Sequence, residues 1–183
     1  MDSVYQRVLT EVLERKTDET TFGRLRDAYA QSIYYSPGNS GNLLDRLKTL
    51  SDRGDYQKVI DLGSKHAEKL MPLGHYHFHM KTAYRALGDD GLSKWHDFVQ
   101  FQLLSAILRS GDGKGTKSAL RVISVEEEYL VLGHLHEKPS RQSLYEEGGH
   151  WFDVLELANG RQLYFNIDVP YLYTARKIDT HWK

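Results

Sequence analysis

Apolar residues recur at helical spacing through the first 110 residues, and alternation with polar residues takes over beyond that point. The spacing i, i+3, i+4, i+7 is the pattern of an amphipathic helix. It predicts six helices in the first half, over residues 4–13, 20–34, 43–50, 54–70, 76–87 and 92–109. The last of these is apolar on most sides, which predicts a central, buried helix.

Part of this helical half resembles a tetratricopeptide repeat. Gly54-Asp55-Tyr56 opens one predicted helix and Gly88-Asp89 closes the next, and the two glycines are 34 residues apart, which matches the period of about 34. A free-standing array needs about three such units, and the first unit here is degenerate. We therefore predict a tetratricopeptide-like helical layer over residues 1–110.

The second half, residues 111–183, predicts a small α+β part that forms one compact unit with the first. A Gly-rich segment begins at Gly111, which suits a left-handed helix C-terminus. Strands are predicted over residues 119–125, 141–146, 150–157 and 162–169, and one short helix over 126–132. Ser124 and Glu127 have the spacing of a capping box at the start of that helix. The predicted class is α+β, with the helical layer packed on a small antiparallel sheet.

The Asn159-Gly160 pair predicts a two-residue hairpin between the last two strands. In that register Asp153 faces Asn166 and Trp151 faces Asp168. Side chains alternate between faces, so one face is predicted to be polar and aromatic and the other to be the core. The predicted polar face carries Trp151, Asp153, Leu155, Gln162, Tyr164, Asn166 and Asp168, and the predicted core face Phe152, Val154, Leu163, Phe165, Ile167 and Val169.

Composition and charge exclude several classes of function. The chain has 24 basic and 25 acidic side chains, balanced in both halves, so we expect no nucleic-acid partner. It has no cysteine, which excludes disulfides, thiolate zinc sites and a cysteine nucleophile. No apolar run approaches the roughly 18 residues of a membrane span, and the first residues do not form a signal peptide. We therefore expect a cytoplasmic location without membrane contact.

Candidate chemistry in the sequence is sparse. The segment from Ser110 to Gly115 lacks the spacing of a phosphate-binding P-loop. His75, His77 and His79 cannot converge on one helix face, so exposed or helix-start histidines are expected there. His150 is predicted on the opposite face from Asp153, and we expect no metal site and no cofactor.

Asp153 and Asp168, predicted on one face, are candidates for a carboxylate pair in acid–base chemistry. Polar residues on a solvated sheet face have the same appearance in sequence, and that alternative stays open. No serine-hydrolase, zinc-protease or kinase signature is present in the chain.

Several motifs together resemble a bacterial family known only as a domain of unknown function, over about residues 20–170. The resemblance implies a helical N-terminal part and a short α/β C-terminal part, and it implies no activity. Its most specific motifs are the S-G-D-G loop and the E-E-Y segment. The similar residues are Ala28-Tyr29, Tyr35-Ser36-Pro37, Leu87-Gly88-Asp89, Ser110-Gly111-Asp112-Gly113, Val122-Ile123, Glu127-Glu128-Tyr129, Gln142-Ser143-Leu144, Asp153-Val154-Leu155 and Tyr164-Phe165.

The polar residues of these motifs form a candidate site. We expect them either to line a cleft between the helical layer and the sheet or to form the hydrogen-bond frame of the S-G-D-G loop. The family often has Asp at position 166, and the Asn found here weakens a carboxylate role for that position. The candidate residues are Asp112, Glu127, Gln142, Asp153, Asn166 and the neighbouring Asp168.

Two functions follow from these observations. The first is a non-catalytic bacterial protein-interaction module, an adaptor or a toxin-immunity-type binder, with another protein as its partner. Its candidate contact surface consists of Tyr34, Tyr35, Tyr164 and Trp151. The second is a hydrolase-like or ligand-binding protein that uses the polar cleft, with a raised carboxylate pKa in a pocket. The lack of a nucleophile–base set favours the first, so the sequence leans away from an enzyme.

Overall fold

The computed structural model describes residues 3–37 and 41–181, and the chain divides between Ala106 and Ile107 into two compact units. The first is helical and the second combines helices with a four-stranded sheet, which confirms the α+β class. Within the described part of the chain, every helix is too short or too polar to cross a membrane.

The N-terminal unit contains each of the six predicted helices, with the fourth split in two. The split falls at His66, whose φ of -116° and ψ of 21° depart from helical values. Contacts join the first helix to the second, and the third, fourth and sixth to one another. The helices are α1 (Val4–Leu13), α2 (Thr21–Ala30), α3 (Gly41–Asp52), α4 (Tyr56–Lys65), α5 (Ala67–Leu70), α6 (Gly74–Ala86) and α7 (Asp90–Leu108), the last continuing past the division.

Helix α7 is not buried on all sides, contrary to the prediction. Val99, Leu103 and Ile107 form its buried side. Phe98 and Phe101 are 39% and 59% exposed. The number of apolar residues in a helix does not show which of its sides is buried, because a folded protein still exposes much apolar surface.

The C-terminal unit is built on a sheet with the strand order β1-β4-β3-β2. Strands β2, β3 and β4 pair antiparallel, whereas β1 pairs parallel with β4, so the predicted antiparallel sheet gains one parallel edge strand. The elements are β1 (Leu120–Arg121), α8 (Val125–Leu135), β2 (Pro139–Glu147), β3 (His150–Leu157), β4 (Gln162–Asn166) and α9 (Asp168–His181).

Helix α9 was not predicted, and the strand predicted over 162–169 ends at Asn166. Pro170 lies in the first turn of α9, where the missing N–H of a proline leaves no hydrogen bond unmade. The predicted single short helix of this part is therefore followed by a second one. Asp168, predicted to lie in a strand, is the first residue of α9.

The predicted β3–β4 register is wrong by one residue. Leu157 pairs with Arg161: the Leu157 N–H donates to Arg161 O, and the Gly160 N–H donates to Leu157 O. Gly160 has φ of +79° while Asn159 does not have positive φ, so the loop has three residues and ends in a glycine bulge. A two-residue type I′ turn needs positive φ at both central residues.

This shift moves side chains to opposite faces. Asp153 pairs with Phe165 and Phe152 pairs with Asn166, so Asp153 and Asn166 lie on opposite sides of the sheet. Each face of the sheet therefore carries residues from both the predicted polar face and the predicted core face. The first face carries Trp151, Asp153, Leu155, Leu163 and Phe165, and the second Phe152, Val154, Tyr164 and Asn166.

Two local predictions in this unit are also wrong. Ser124 is the N-cap of α8 but makes no capping bond, and Glu127 accepts the N–H of Ile123 instead of that of Ser124. Gly111 does not have positive φ. A glycine is needed there because a Cβ would lie 2.7 Å from Ala119 O and closer still to Ser118 O.

We expect Gly111→Ala to destabilise the C-terminal unit by about 2 kcal/mol, because two backbone carbonyls block the added methyl group. Gly115→Ala is the matched control. Its Cβ meets nothing within 4 Å, and it lies in the same loop. Urea unfolding of both variants measures the difference, and equal stabilities would contradict the steric explanation.

Candidate functional site

A shallow depression of about 480 Å³ lies in the C-terminal unit where β1 and β4 meet the loop before β1. Its side chains come from the loop, from β1, from the end of β4 and from the first residue of α9. Several of them are polar, and two carry a positive charge. The lining residues are Ser110, Thr116, Lys117, Ala119, Arg121, Asn166 and Asp168.

The sequence places the two cations here through separate local structures. Lys117 lies in a 3₁₀ turn over Thr116–Ser118, and Arg121 ends β1. The Ser110 hydroxyl donates to Ile107 O at 2.6 Å and accepts the Arg121 N–H at 2.8 Å. That hydroxyl therefore fixes β1 beside the loop. The depression combines two cationic side chains with hydroxyl and amide groups.

Asp168 supplies the negative charge of the depression and is held by three donors. The Trp151 N–H and the His150 Nδ1 lie 2.7 Å from its oxygens, and Asn166 Nδ2 lies at 3.0 Å. Burial raises the pKa of Asp168, but these hydrogen bonds outweigh it, and the pKa is lowered overall. The structure thus keeps Asp168 ionised, with its oxygens occupied by the protein itself.

His150, which the prediction set apart from Asp153, therefore has Asp168 as its partner. A carboxylate on Nδ1 is the arrangement that orients the imidazole of a general base. Among the described residues, no serine, threonine or tyrosine hydroxyl bonds to His150, whose side chain is 63% exposed. The nucleophile of a hydrolase is thus missing from this pair.

A second acidic group lies on the opposite face, where α8 covers β3. Glu128 is 1% exposed and hydrogen-bonds to Asp153, which is 7% exposed. Burial, followed by repulsion from Asp153, raises the pKa of Glu128 to about 9. Glu128 is therefore protonated at neutral pH, and its O–H donates a hydrogen bond to the carboxylate of Asp153. Gln142 Nε2 donates to the same carboxylate at 2.8 Å.

The raised carboxylate pKa that the enzyme hypothesis requires is thus found in Glu128, a residue the candidate set did not contain. Sequence reasoning missed it because E-E-E at a helix start is usually solvated and complements the helix dipole. Nothing in the local pattern shows that Glu127 and Glu128 are both buried.

Asp112 belongs to the frame of the S-G-D-G loop. Its Oδ1 accepts the Lys114 N–H at 3.0 Å and the Ser118 hydroxyl at 2.5 Å. These bonds, the one from Ser118 first, lower the pKa of Asp112 to about 2. This is the structural role that the sequence left open for the polar set.

The six candidate residues do not assemble into one site. Gln142 lies beside Asp153, and Asn166 lies beside Asp168, on opposite faces of the sheet. Asp112 frames its loop, and Glu127 binds the Ile123 N–H at 2.8 Å. Of the predicted set, only Asn166 and Asp168 line the depression.

The four aromatic residues of the candidate contact surface belong to different units and environments. Tyr35 is buried at 4% exposure and packs edge-on against Tyr29, so it is a core residue. Tyr34 packs near Tyr5 in the N-terminal unit. In the C-terminal unit, Trp151 stacks on Tyr171 with ring centres 4.1 Å apart, and Tyr164 packs against a buried cluster of Ala119, Phe152 and Val154.

The three clustered histidines lie in the first two turns of α6, as the helix-start expectation has it, but two of them are buried rather than exposed. His77 is 0% exposed, and its Nδ1 lies 2.8 Å from His96 Nδ1. Its Nε2 lies 2.8 Å from Met71 O, so Nε2 carries the proton and His96 donates to Nδ1. Burial lowers the pKa of His77 to about 3 and that of His96 to about 4. The pair is a neutral, satisfied element of the core, as is His79, bonded to Ser51.

No group of three or more His, Asp or Glu side chains among the described residues has the geometry of a metal site. The arrangement can bind a small anion at Lys117 and Arg121, and it can hold one shared proton at Glu128.

A family model described as a domain of unknown function (DUF4919) matches residues 25–175 of the chain. No curated protein and no solved structure matches the chain.

We expect the stability of the C-terminal unit to fall as the pH rises from 7 to 9. The pKa of Glu128 is the ordinary 4.5 in the unfolded chain and about 9 in the folded one. Its contribution to the free energy of unfolding is therefore complete below pH 4.5 and is lost as the pH rises toward 9. The slope between these values is about 1.4 kcal/mol per pH unit. Glu128→Gln removes this slope, and urea unfolding followed by the fluorescence of Trp151, with Trp95 and Trp182 replaced by Phe in both proteins, measures it.

The control for this prediction is Glu156→Gln, which lies on β3, the strand of Asp153, but on the other face, and which keeps the wild-type slope. Equal pH dependence in wild type and Glu128→Gln would contradict a protonated Glu128.

Proposed function

Because the chain belongs to the DUF4919 family, whose description assigns no activity, we propose a function from its own surfaces: a non-catalytic protein-interaction module that adds a strand of another polypeptide to the free edge of β2. An adaptor and the immunity partner of a toxin are two forms of such a module. Both act by holding a second chain.

One observation carries this proposal. β2 is nine residues long, lies at the edge of the sheet, and is exposed from Ser140 to Glu147. An exposed edge of that length offers unpaired N–H and C=O groups to another strand. Main-chain hydrogen bonds then give affinity, and alternate side chains give specificity.

The side chains of β2 support the same function. Leu144 and Tyr145 are 54% and 46% exposed near the middle of the strand. They point to opposite faces because neighbours in a strand alternate. An added strand therefore covers apolar surface on both sides of the sheet.

We expect a photoreactive benzoylphenylalanine in place of Tyr145 to cross-link a partner chain in the native cells. The same residue in place of Tyr129, an exposed tyrosine on α8, is the matched control and should cross-link far less. Mass spectrometry of the cross-linked peptides identifies the contact. Equal yields at the two positions would argue against β2 as the binding edge.

A proline variant makes the test specific for strand addition. Leu144→Pro removes an N–H that points away from β3 and so blocks an added strand, as prolines do on natural edge strands. We expect it to lower the Tyr145 cross-link at least about tenfold, since the hydrogen bond from this N–H is lost and the proline ring occupies the place of the carbonyl that would accept it. Leu144→Lys, which keeps the N–H and adds a charge, gives an independent check if the proline variant unfolds.

A second candidate function is the binding of a small anionic ligand in the depression of the C-terminal unit. The observation that favours it is the placement of Lys117, Arg121 and Thr116 on one concave surface. This replaces the predicted cleft at Asp112 and Asp153.

We expect inorganic phosphate to shift the NMR signals of the Lys117 and Arg121 amides. Lys117→Ala should weaken this binding about tenfold, because a charge-assisted hydrogen bond contributes about 1.5–3 kcal/mol. Lys114→Ala is the control, because Lys114 lies outside the depression and pairs with Asp112. Unchanged affinity in the Lys117 variant would exclude this site.

A further inference from the structure

The direction of the backbone groups along β2 follows from its turn. Gly148 and Gly149 have φ of +61° and +82°, so they form a two-residue type I′ hairpin. Glu147 and His150 next to this turn are then a closely hydrogen-bonded pair, and bonding alternates along the ladder. Consequently the N–H and C=O groups of Gln142, Leu144 and Glu146 point away from β3, toward the free edge.

One face of β2 carries a positive charge near its start and a negative charge at its end. Arg141 lies near the start of the strand, and Glu147 lies at its end, on the same face. Within the described part of the chain, neither side chain has an ion-pair partner. A strand with this charge order is complementary to a copy of itself that runs in the opposite direction.

We infer that the strand added to β2 is β2 of a second copy of this chain, paired antiparallel about a two-fold axis at Leu144. This inference rests on the proposed function of the β2 edge. In this register Arg141 faces Glu147 of the second copy, Ser143 faces Tyr145, and Leu144 faces itself. Each closed dimer holds the Arg–Glu pair twice, because the interface is isologous.

The backbone supports this register over its neighbours. All three residues with outward-pointing groups pair with one another: Leu144 with Leu144, and Gln142 with Glu146. If the two-fold axis lies at Ser143 instead, Arg141 faces Tyr145. If it lies at Tyr145, Glu147 faces Ser143. In both cases some of the outward-pointing backbone groups have no partner on the second copy. A parallel arrangement puts like charges side by side, which is destabilising.

The ends of β2 limit the paired segment. The register is irregular between Pro139 and Arg141, and the Ser140 hydroxyl donates to Glu156 O. Proline and a bulge at an edge stop further strand addition. The type I′ turn closes the other end. Pairing is thus confined to residues 141–147, and the dimer closes without growing into longer assemblies.

Sedimentation velocity of the full chain tests the inference, with three charge variants of β2. We expect wild type to form a concentration-dependent dimer. Arg141→Glu and Glu147→Arg each oppose like charges twice, and each should weaken dimerisation about tenfold or more. The double variant Arg141→Glu/Glu147→Arg restores the opposite pairing and should dimerise like wild type. Lys94→Glu, on exposed α7 surface, is the charge control.

The register has its own readout because the chain has no native cysteine. A single spin label at Leu144→Cys should report a short distance between copies, shorter than one at either end of β2. A wild-type monomer at all concentrations, or a dimer indifferent to both single reversals, overturns the inference. If wild type is a monomer and Leu144→Pro nevertheless abolishes the cross-link from position 145, the partner is another protein and the proposed function stands.

Discussion

The three-residue loop between β3 and β4 is the constraint on which the C-terminal unit depends. Its glycine bulge at Gly160 pairs Leu157 with Arg161 and sets every pair that follows. One residue fewer in this loop would shift β4 against β3 by one residue and exchange the two faces of β4 relative to β3. The position of Asn166 and Asp168 relative to β3 is therefore a consequence of how one short loop closes.

The C-terminal unit holds two carboxyl groups in opposite states of protonation. On one face, Glu128 is deprived of water and faces Asp153, so it holds a proton that Asp153 accepts. On the other side of the unit, Asp168 receives N–H donors and stays ionised. The oxygens of Asp168 are satisfied by donors of the protein, whereas one oxygen of Glu128 is buried without a hydrogen-bond partner among the described residues.

Strand β2 differs from its neighbours because it adds little to the core. Its residues from Ser140 onward are exposed, while β3 is buried from Phe152 to Leu155. The hydrogen bonds to β3 hold β2 in an extended conformation, so an incoming strand would meet a template that is already ordered. A preordered edge lowers the entropy that binding must overcome. The exposed edge and the depression lined by Lys117 are separate surfaces of this unit, and each can be tested without disturbing the other.

Local pattern determined much of this protein. The helical spacing located the helices of the first half, the change near residue 110 indicated the α+β class, and the motifs indicated the family, because each depends on neighbours in sequence. The tertiary structure decided the register, the burial of Glu128 and His77, and the start of α9 at Asp168. The reason is physical: β3 is buried on both faces, so alternation of apolar residues does not fix its register. Buried acids and histidines become tolerable only through partners such as Asp153 and His96, which packing brings from other elements.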